Sequence, residues 1–277
     1  MMRFDEATLR RLESLRLAVR RAVRGRGEGD RSAGRRGGAS EFVAHRAYAP
    51  GDDFRAIDWQ VYARLGQLFV RERAREERLT LHLAFDTSPS MAVGSPAKLD
   101  QARRVAAGLA AAAFAESGRV VVWGAGGGRA FESLGSLLSG LETPPAAPGP
   151  LLRALRLGAR ERGIVAFFSD LWDEDLREPL LASASAGDVA VLHLLAPDEA
   201  DPPPLGRVRF ADAETEEEID RFVGEEETSR YRTLLAEHCE SWKRWCREHG
   251  MSYVRFGSDA PWEEIVTGTL REAGVLE

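Results

Sequence analysis

The sequence predicts an α/β protein built on a doubly wound, mostly parallel sheet. From Leu79 onward, short apolar runs with strand character alternate with longer segments of helical period. Such alternation implies crossover connections, and so parallel strands covered on both faces. The chain has 277 residues, 44% of them hydrophobic, enough to bury one large core plus a small extension. The expected division is 1–78, an N-terminal helix, a Gly/Arg linker and a motif-rich segment with a hairpin, and 79–277, the α/β domain.

The elements follow in order. Asp5–Arg24 has Leu9, Leu12, Val19 and Val23 at helical spacing, with arginines over the other faces, and reads as an amphipathic helix. "GRGEGDRSAGRRGGAS" (25–40) is a Gly/Arg/Ser linker. Leu79–Phe85 is a strand, Ala97–Ser117 an alanine-rich helix stopped by Gly118, and Arg119–Trp123 a strand. "WGAGGGRAF" (123–131) reads as a turn between strands, because Arg129 replaces the third glycine of a dinucleotide-binding loop. Helix 134–141 precedes a proline-rich loop, "TPPAAPGP". Then come helix 151–162, strand 163–168, helix 173–186 and strand 189–195. "RVRFADAETEEEID" (207–220) breaks the rhythm and reads as an antiparallel edge or hairpin with an acidic turn. Helix 225–249, strand 252–256 and helix 262–272 complete the chain. Cys239 and Cys246 fall on the apolar stripe of helix 225–249 and read as core fillers, not ligands. His82 and His193 lie in strands and read as hydrogen-bonded residues, not ligands.

Charge excludes some functions. The net charge is −6, and the basic linker lacks interleaved aromatics to stack bases, so no nucleic-acid partner is expected. The charge is uneven: residues 1–40 carry eleven arginines against five acids, whereas 197–228 carry twelve acids against three arginines. Such asymmetry fits two surfaces with different partners, one docking on the other, or two solvated faces. Two cysteines exclude a disulfide framework, and no integral membrane segment or secretory signal is evident. A cytoplasmic protein is the expectation.

Chemistry concentrates at "LAFDTSPSM" (83–91). An apolar strand ends at Asp86, and Ser88 and Ser90 follow at alternate positions. In open parallel sheets ligands sit beyond the carboxyl ends of the strands. Asp170 stands at a second such end, after "IVAFFS". A hard divalent cation such as Mg²⁺ takes about six oxygens and keeps some waters. Asp86, Ser88, Ser90 and Asp170 are therefore candidate metal ligands, with a position left for an outside carboxylate. The competing reading makes Ser88 or Ser90 a helix cap and has Asp86 bond loop amides. An aspartyl-phosphate phosphatase would want an acid where Ser88 stands, and the loop lacks the Gly-x-Ser-x-Gly of a serine hydrolase.

"DTSPS" resembles the Asp-x-Ser-x-Ser loop of von Willebrand factor A domains, and "FFSD" is similar to that family's later strand-end aspartate. The resemblance implies a metal-ion-dependent adhesion site that binds a partner's acid. The threonine ligand it calls for would fall among Pro148, Gly149 and Pro150; Thr143 is the threonine nearby.

Upstream, "YAPGDDFRAIDWQVYAR" (48–64) sets Pro50-Gly51 before Asp52, Asp53, Arg55, Asp58 and Arg64. This alternation suits carboxylates paired with guanidinium forks while Trp59 packs inward. With "GGASEFVAHRAYAPGDD", "LFVRERAREE", "DTSPSM", "FFSD" and "DAET", the stretch resembles a bacterial family of domains of unknown function, DUF58. That resemblance spans nearly the whole chain. It implies a von Willebrand A-like domain with an N-terminal addition, acting as partner or substrate adaptor of a MoxR-type AAA+ ATPase. The expected function is thus non-enzymatic protein binding with a divalent cation, Mg²⁺ in kind. A metal-dependent hydrolase of a phosphate ester or peptide and a metal-free scaffold are the alternatives.

Overall fold

The computed structural model describes residues 42–50, 52–73, 79–124, 127–141, 163–184 and 187–276. The expected helices 5–24 and 151–162, the Gly/Arg linker, and Thr143 with Pro148–Pro150 lie outside the described residues. The chain forms two compact units, one of residues 24–78 and one that contains everything from Leu79 onward.

In the smaller unit, β1 (Phe42–Ala47) pairs antiparallel with β2 (Phe69–Arg73). Between them Asp53 caps a 3₁₀ turn, Phe54–Ala56, and Asp58 caps α1 (Trp59–Leu65) by accepting from the Gln60 and Val61 amides. Gly66, at φ 65°, ends α1 in the left-handed region that glycine occupies without penalty. Two of the carboxylates expected to meet guanidinium forks therefore serve backbone amides. Arg46–Asp52, at 2.8 Å, is an ion pair of the kind foreseen, and it holds the Asp52 carboxyl below its ordinary range. Trp59 does not pack inward: it is 59% exposed and sits edge-on to Tyr62. As the first residue of a capped helix it faces outward, and Ile57 and Val70 form the buried contact instead.

The larger unit carries the expected sheet. Its strands are β3 (Thr80–Phe85), β4 (Arg119–Gly124), β5 (Gly127–Phe131), β6 (Gly163–Ser169), β7 (Gly187–Leu195) and β10 (Ser252–Gly257). Their order is β10-β7-β6-β3-β4-β5, all parallel except β5, which returns antiparallel along β4 as the glycine turn foretold. Strands β8 (Gly206–Ala211) and β9 (Glu218–Val223) form a separate antiparallel ribbon, the predicted acidic hairpin.

Side-chain parity divides the core between two faces. Leu81, Leu83, Phe85, Ala166, Phe168, Leu192 and Leu194 face α2 (Lys98–Ala115), α3 (Leu134–Leu141) and α7 (262–272), whose middle, Ile265–Thr269, is π-helical. Ala84, Val165, Phe167, Val189 and Val191 face the other way, toward Trp242 and Cys246 of α6 (Glu225–Glu248) and Leu180 of α4 (Arg177–Ser183). Three glutamates in the first turn of α6 and Arg247 in its last complement the helix dipole.

Helix α2 explains its own composition. It lies against sheet, α3 and α7, so nearly every side is covered, and its alanines permit close approach. Gly108 marks the tightest point: an added Cβ would stand 2.8 Å from a Val266 methyl and 3.2 Å from the Trp262 ring. Gly108→Ala therefore gains helix propensity but overpacks the α2–α7 contact. The expected net loss is at the low end of about 1–3 kcal/mol, checked by urea denaturation; a stabilised variant would show that the α2–α7 contact is loose.

Candidate functional site

Strand order fixes where a site forms. The chain runs from β3 outward to β4 on one side, then returns to place β6 on the other side of β3. The carboxyl ends of β3 and β6 therefore flank the topological switch point, where crossovers leave in opposite directions and open a crevice. Asp86 follows β3 and Asp170 follows β6. The register pairs Phe85 with Phe168, and the Asp86 amide donates to the Phe168 carbonyl at 2.7 Å.

Parity then directs the side chains. Asp86 and Ser169 share one face, and the Ser169 hydroxyl donates to Asp86 Oδ2 at 2.6 Å. The same hydroxyl accepts from the Leu171 amide at 2.9 Å. Leu171 holds φ 58°, sparsely populated for a branched residue, and its carbonyl accepts from Trp242 Nε1 at 3.1 Å. Ser169 thus ties the two strand ends together, and the buried indole fixes the turn behind Asp170.

Asp86 Oδ1 accepts from the Ser88 amide at 2.9 Å, the loop-amide role considered from sequence. This turn brings the Ser88 and Ser90 hydroxyls to 2.9 Å from each other. Ser88 occupies the N-cap position of the 3₁₀ turn Pro89–Ala92 but makes no side-chain cap bond, so capping does not employ its hydroxyl.

Asp170 turns instead toward α2. Its Oδ2 accepts from Lys98 Nζ at 2.8 Å, and the same ammonium donates to Glu199 Oε1 at 2.5 Å. Lys98 is fully buried and Asp170 nearly so. Glu199 lies on α5 (Pro197–Ala200), and its second oxygen accepts from the Ala196 amide, which orients it. The sequence-predicted set is therefore split. Asp86, Ser88 and Ser90 form one hydrogen-bonded group, and Asp170 stands beside it, already engaged by an ammonium. Lys98, Glu199 and Ser169 are the partners that sequence reasoning missed.

The electrostatics follow from this inventory. Two carboxylates, Asp170 and Glu199, meet one ammonium, and Asp86 is not part of that bridge. Burial pushes the Asp86 carboxyl up from its usual range; the bonds from Ser169 and Ser88 pull it down, and the charge of Asp170 raises it further. The nearby His193 supplies no second cation, because burial lowers it to about 3. Its Nδ1 bonds Tyr253 Oη at 2.7 Å, and His82 accepts from Trp123 Nε1 at 3.1 Å, as expected of hydrogen-bonded strand histidines.

Among the described residues, no three His, Cys, Asp or Glu side chains surround a common point. A closed carboxylate cage is absent from them, and a bound ion would rely on hydroxyls and water. The spacing of the two hydroxyls, set by their hydrogen bond, is compatible with that kind of ion. Two ligand oxygens on adjacent corners of an octahedron with metal–oxygen bonds of roughly 2.1 Å lie about 3.0 Å apart, and the Ser88–Ser90 pair is at 2.9 Å. Asp86, buried at the head of the same loop, would be the nearest compensating charge.

Comparison with known proteins bears on identity. Relatives 30% identical over 223 residues are uncharacterized proteins of Mycobacterium bovis (strain ATCC BAA-935 / AF2122/97) and Mycobacterium tuberculosis (strain ATCC 25618 / H37Rv). The match covers 74% of this chain and 70% of each relative. Solved structures similar in part are the conserved hypothetical protein BatB of Bacteroides thetaiotaomicron, with TM-score 0.41 and 15% identity, and an aerotolerance-related membrane protein of Bacteroides fragilis NCTC 9343, with 0.43 and 18%. Each covers 70% of this chain and 98% of its own; likeness at this level carries no functional argument. In this chain no described helix is long and apolar enough to cross a membrane. The family described as "Protein of unknown function DUF58" matches residues 44–240, and the chain belongs to that family.

Proposed function

We propose that the chain is a non-enzymatic protein-binding adaptor whose switch-point site receives a partner's carboxylate through a divalent cation, in the manner of a von Willebrand A domain. The observation that supports this reading is the Ser88–Ser90 hydroxyl pair at 2.9 Å beside the buried Asp86, at strand ends where Lys98 is already engaged by Asp170 and Glu199. Ser88 and Ser90 would hold the ion directly, and Asp86 and Asp170 would fix its shell from behind. A bound Mg²⁺ would supply a Lewis-acid position open to an incoming Asp or Glu. The chain's own part is to hold the hydroxyls in register, through the Asp86–Ser88 turn, and to keep water from the strand ends.

The hydroxyls support binding over hydrolysis. Ser88 and Ser90 bond each other, and neither is hydrogen-bonded to a histidine that would activate it as a nucleophile. A MoxR-type AAA+ ATPase is the partner class that the family resemblance suggests. Lys98 favours one other reading, a metal-free scaffold, because its ammonium already fills part of the cationic role.

Titration of the purified protein with Mg²⁺, alone and with a candidate AAA+ ATPase, tests the proposal. The ion is expected to bind and to strengthen the complex, and Asp86→Ala to weaken ion binding roughly 10–100-fold, as loss of an orienting group does. ATPase binding that is equal in excess chelator and in Mg²⁺ would refute the metal-bridged version and favour the scaffold.

A further inference from the structure

The β8–β9 ribbon reaches the site from the acidic segment. Its tip is rigidly built: Asp212 Oδ1 accepts from the Glu214 and Thr215 amides at 2.7 and 2.9 Å, and the Asp212 carbonyl accepts from the Glu216 amide at 2.9 Å. Glu216, at φ 60°, turns the chain back into β9. This turn aims Glu214 at the body of the domain. Its Oε1 accepts from the Ser90 amide at 3.0 Å, a contact across 124 residues.

Elsewhere the ribbon is loosely seated. Phe210, Ile219 and Phe222 are exposed. A cavity of about 590 Å³, lined by Pro202, Leu205, Phe210, Phe222 and Tyr231, separates the ribbon's base from α5 and α6. A two-stranded ribbon has little stability of its own, and beyond its own ladder this one is fastened to the Ser88–Ser90 loop by the Glu214–Ser90 bond at its tip. The fastening also brings a carboxylate from the acidic segment onto the Ser88–Ser90 loop.

We propose that Glu214 is an internal ligand of the Ser88–Ser90 loop, holding the place of the partner's carboxylate, and that the β8–β9 ribbon is a latch the partner displaces. The proposal rests on the reading that this loop receives a carboxylate. A tethered carboxylate competes at an effective concentration in the millimolar range or above, so an outside acid binds weakly while the latch is closed and tightly once it opens.

Sodium acetate is the probe, followed by the NMR shift of the Ser90 amide, with and without Mg²⁺, in the wild type, Glu214→Ala and the ribbon control Glu217→Ala. Glu214→Ala is expected to bind acetate about tenfold more tightly than the other two, and its Ser90 amide to exchange with solvent at least as many times faster. Equal acetate affinity in Glu214→Ala and the wild type, or acetate binding to neither, would overturn the latch. Absence of any Mg²⁺ effect, with the acetate contrast intact, would overturn the metal reading and leave the latch standing.

Discussion

Replacing Lys98 with methionine is expected to lower the unfolding free energy by about 3–5 kcal/mol at neutral pH, the range for removing one partner of a buried ion pair. Methionine keeps most of the side-chain length, so the packing around the stem survives and the loss is electrostatic. The ammonium has no exposed surface and bridges Asp170 at 2.8 Å and Glu199 at 2.5 Å. Glu199 keeps about a fifth of its side-chain surface and retains the Ala196 amide as donor, so water relieves it in part. Asp170 is nearly fully buried and has no such exit. The penalty therefore falls on Asp170, and Asp170→Asn in the Lys98→Met background should restore more than half of it. Urea denaturation of the wild type, both single variants and the double variant gives the coupling. A loss below about 1 kcal/mol in Lys98→Met would mean that water reaches Asp170 and that the pair is not sealed.

Why this lysine escaped sequence reading is itself informative. The meeting of the β3 and β6 ends was legible, because apolar runs stopped by acids mark strand ends, and sheets of this kind open their crevice there. The Asp-x-Ser-x-Ser spacing also made Ser88 and Ser90 legible as a pair on one loop. Lys98 was not, because "SPAKLD" reads as an exposed first turn of a helix and lysine is rarely buried unless paired. Its burial follows from strand order: β6 returns beside β3 and delivers Asp170 under α2. Only the topology shows that. Glu199 and Glu214 were hidden for a different reason. Each is one of twelve acids in residues 197–228, and composition cannot pick out the one that turns inward. A faint signal existed for Glu199, since a glutamate three residues after the start of "APDEA" suits a return bond to the entering amide. Trp59 misled in the opposite sense. Its size suggested core, but the Asp58 cap places it at the outer start of α1, and no hydropathy pattern distinguishes the two.

Acid is expected to destabilise the larger unit well above the carboxylate range, through His193. Burial lowers this imidazole to about 3, reinforced by the charges of His238, Arg255 and Lys98 and opposed by the nearby Asp170 backbone. A folded value below the unfolded one, roughly 6.5, means stability is fully present above pH 6.5 and is lost as the pH falls toward 3. Between pH 7 and pH 5 the loss is about 2 kcal/mol from this residue alone. His238, also lowered by burial, acts in the same direction. Asp86 acts in the opposite one: its carboxyl is raised, so its protonation in the folded state returns some stability once the pH reaches that range. His193→Asn removes the titration and leaves a polar group for Tyr253. The test is the difference in unfolding free energy between pH 7 and pH 5, which should shrink by about 2 kcal/mol in the variant whatever its absolute stability. An unchanged difference would place the acid sensitivity elsewhere. The sign matters for the site too: a charged His193 would set a second cation beside Lys98, so the burial that keeps it neutral leaves Lys98 as the cation that faces Asp170 and Glu199.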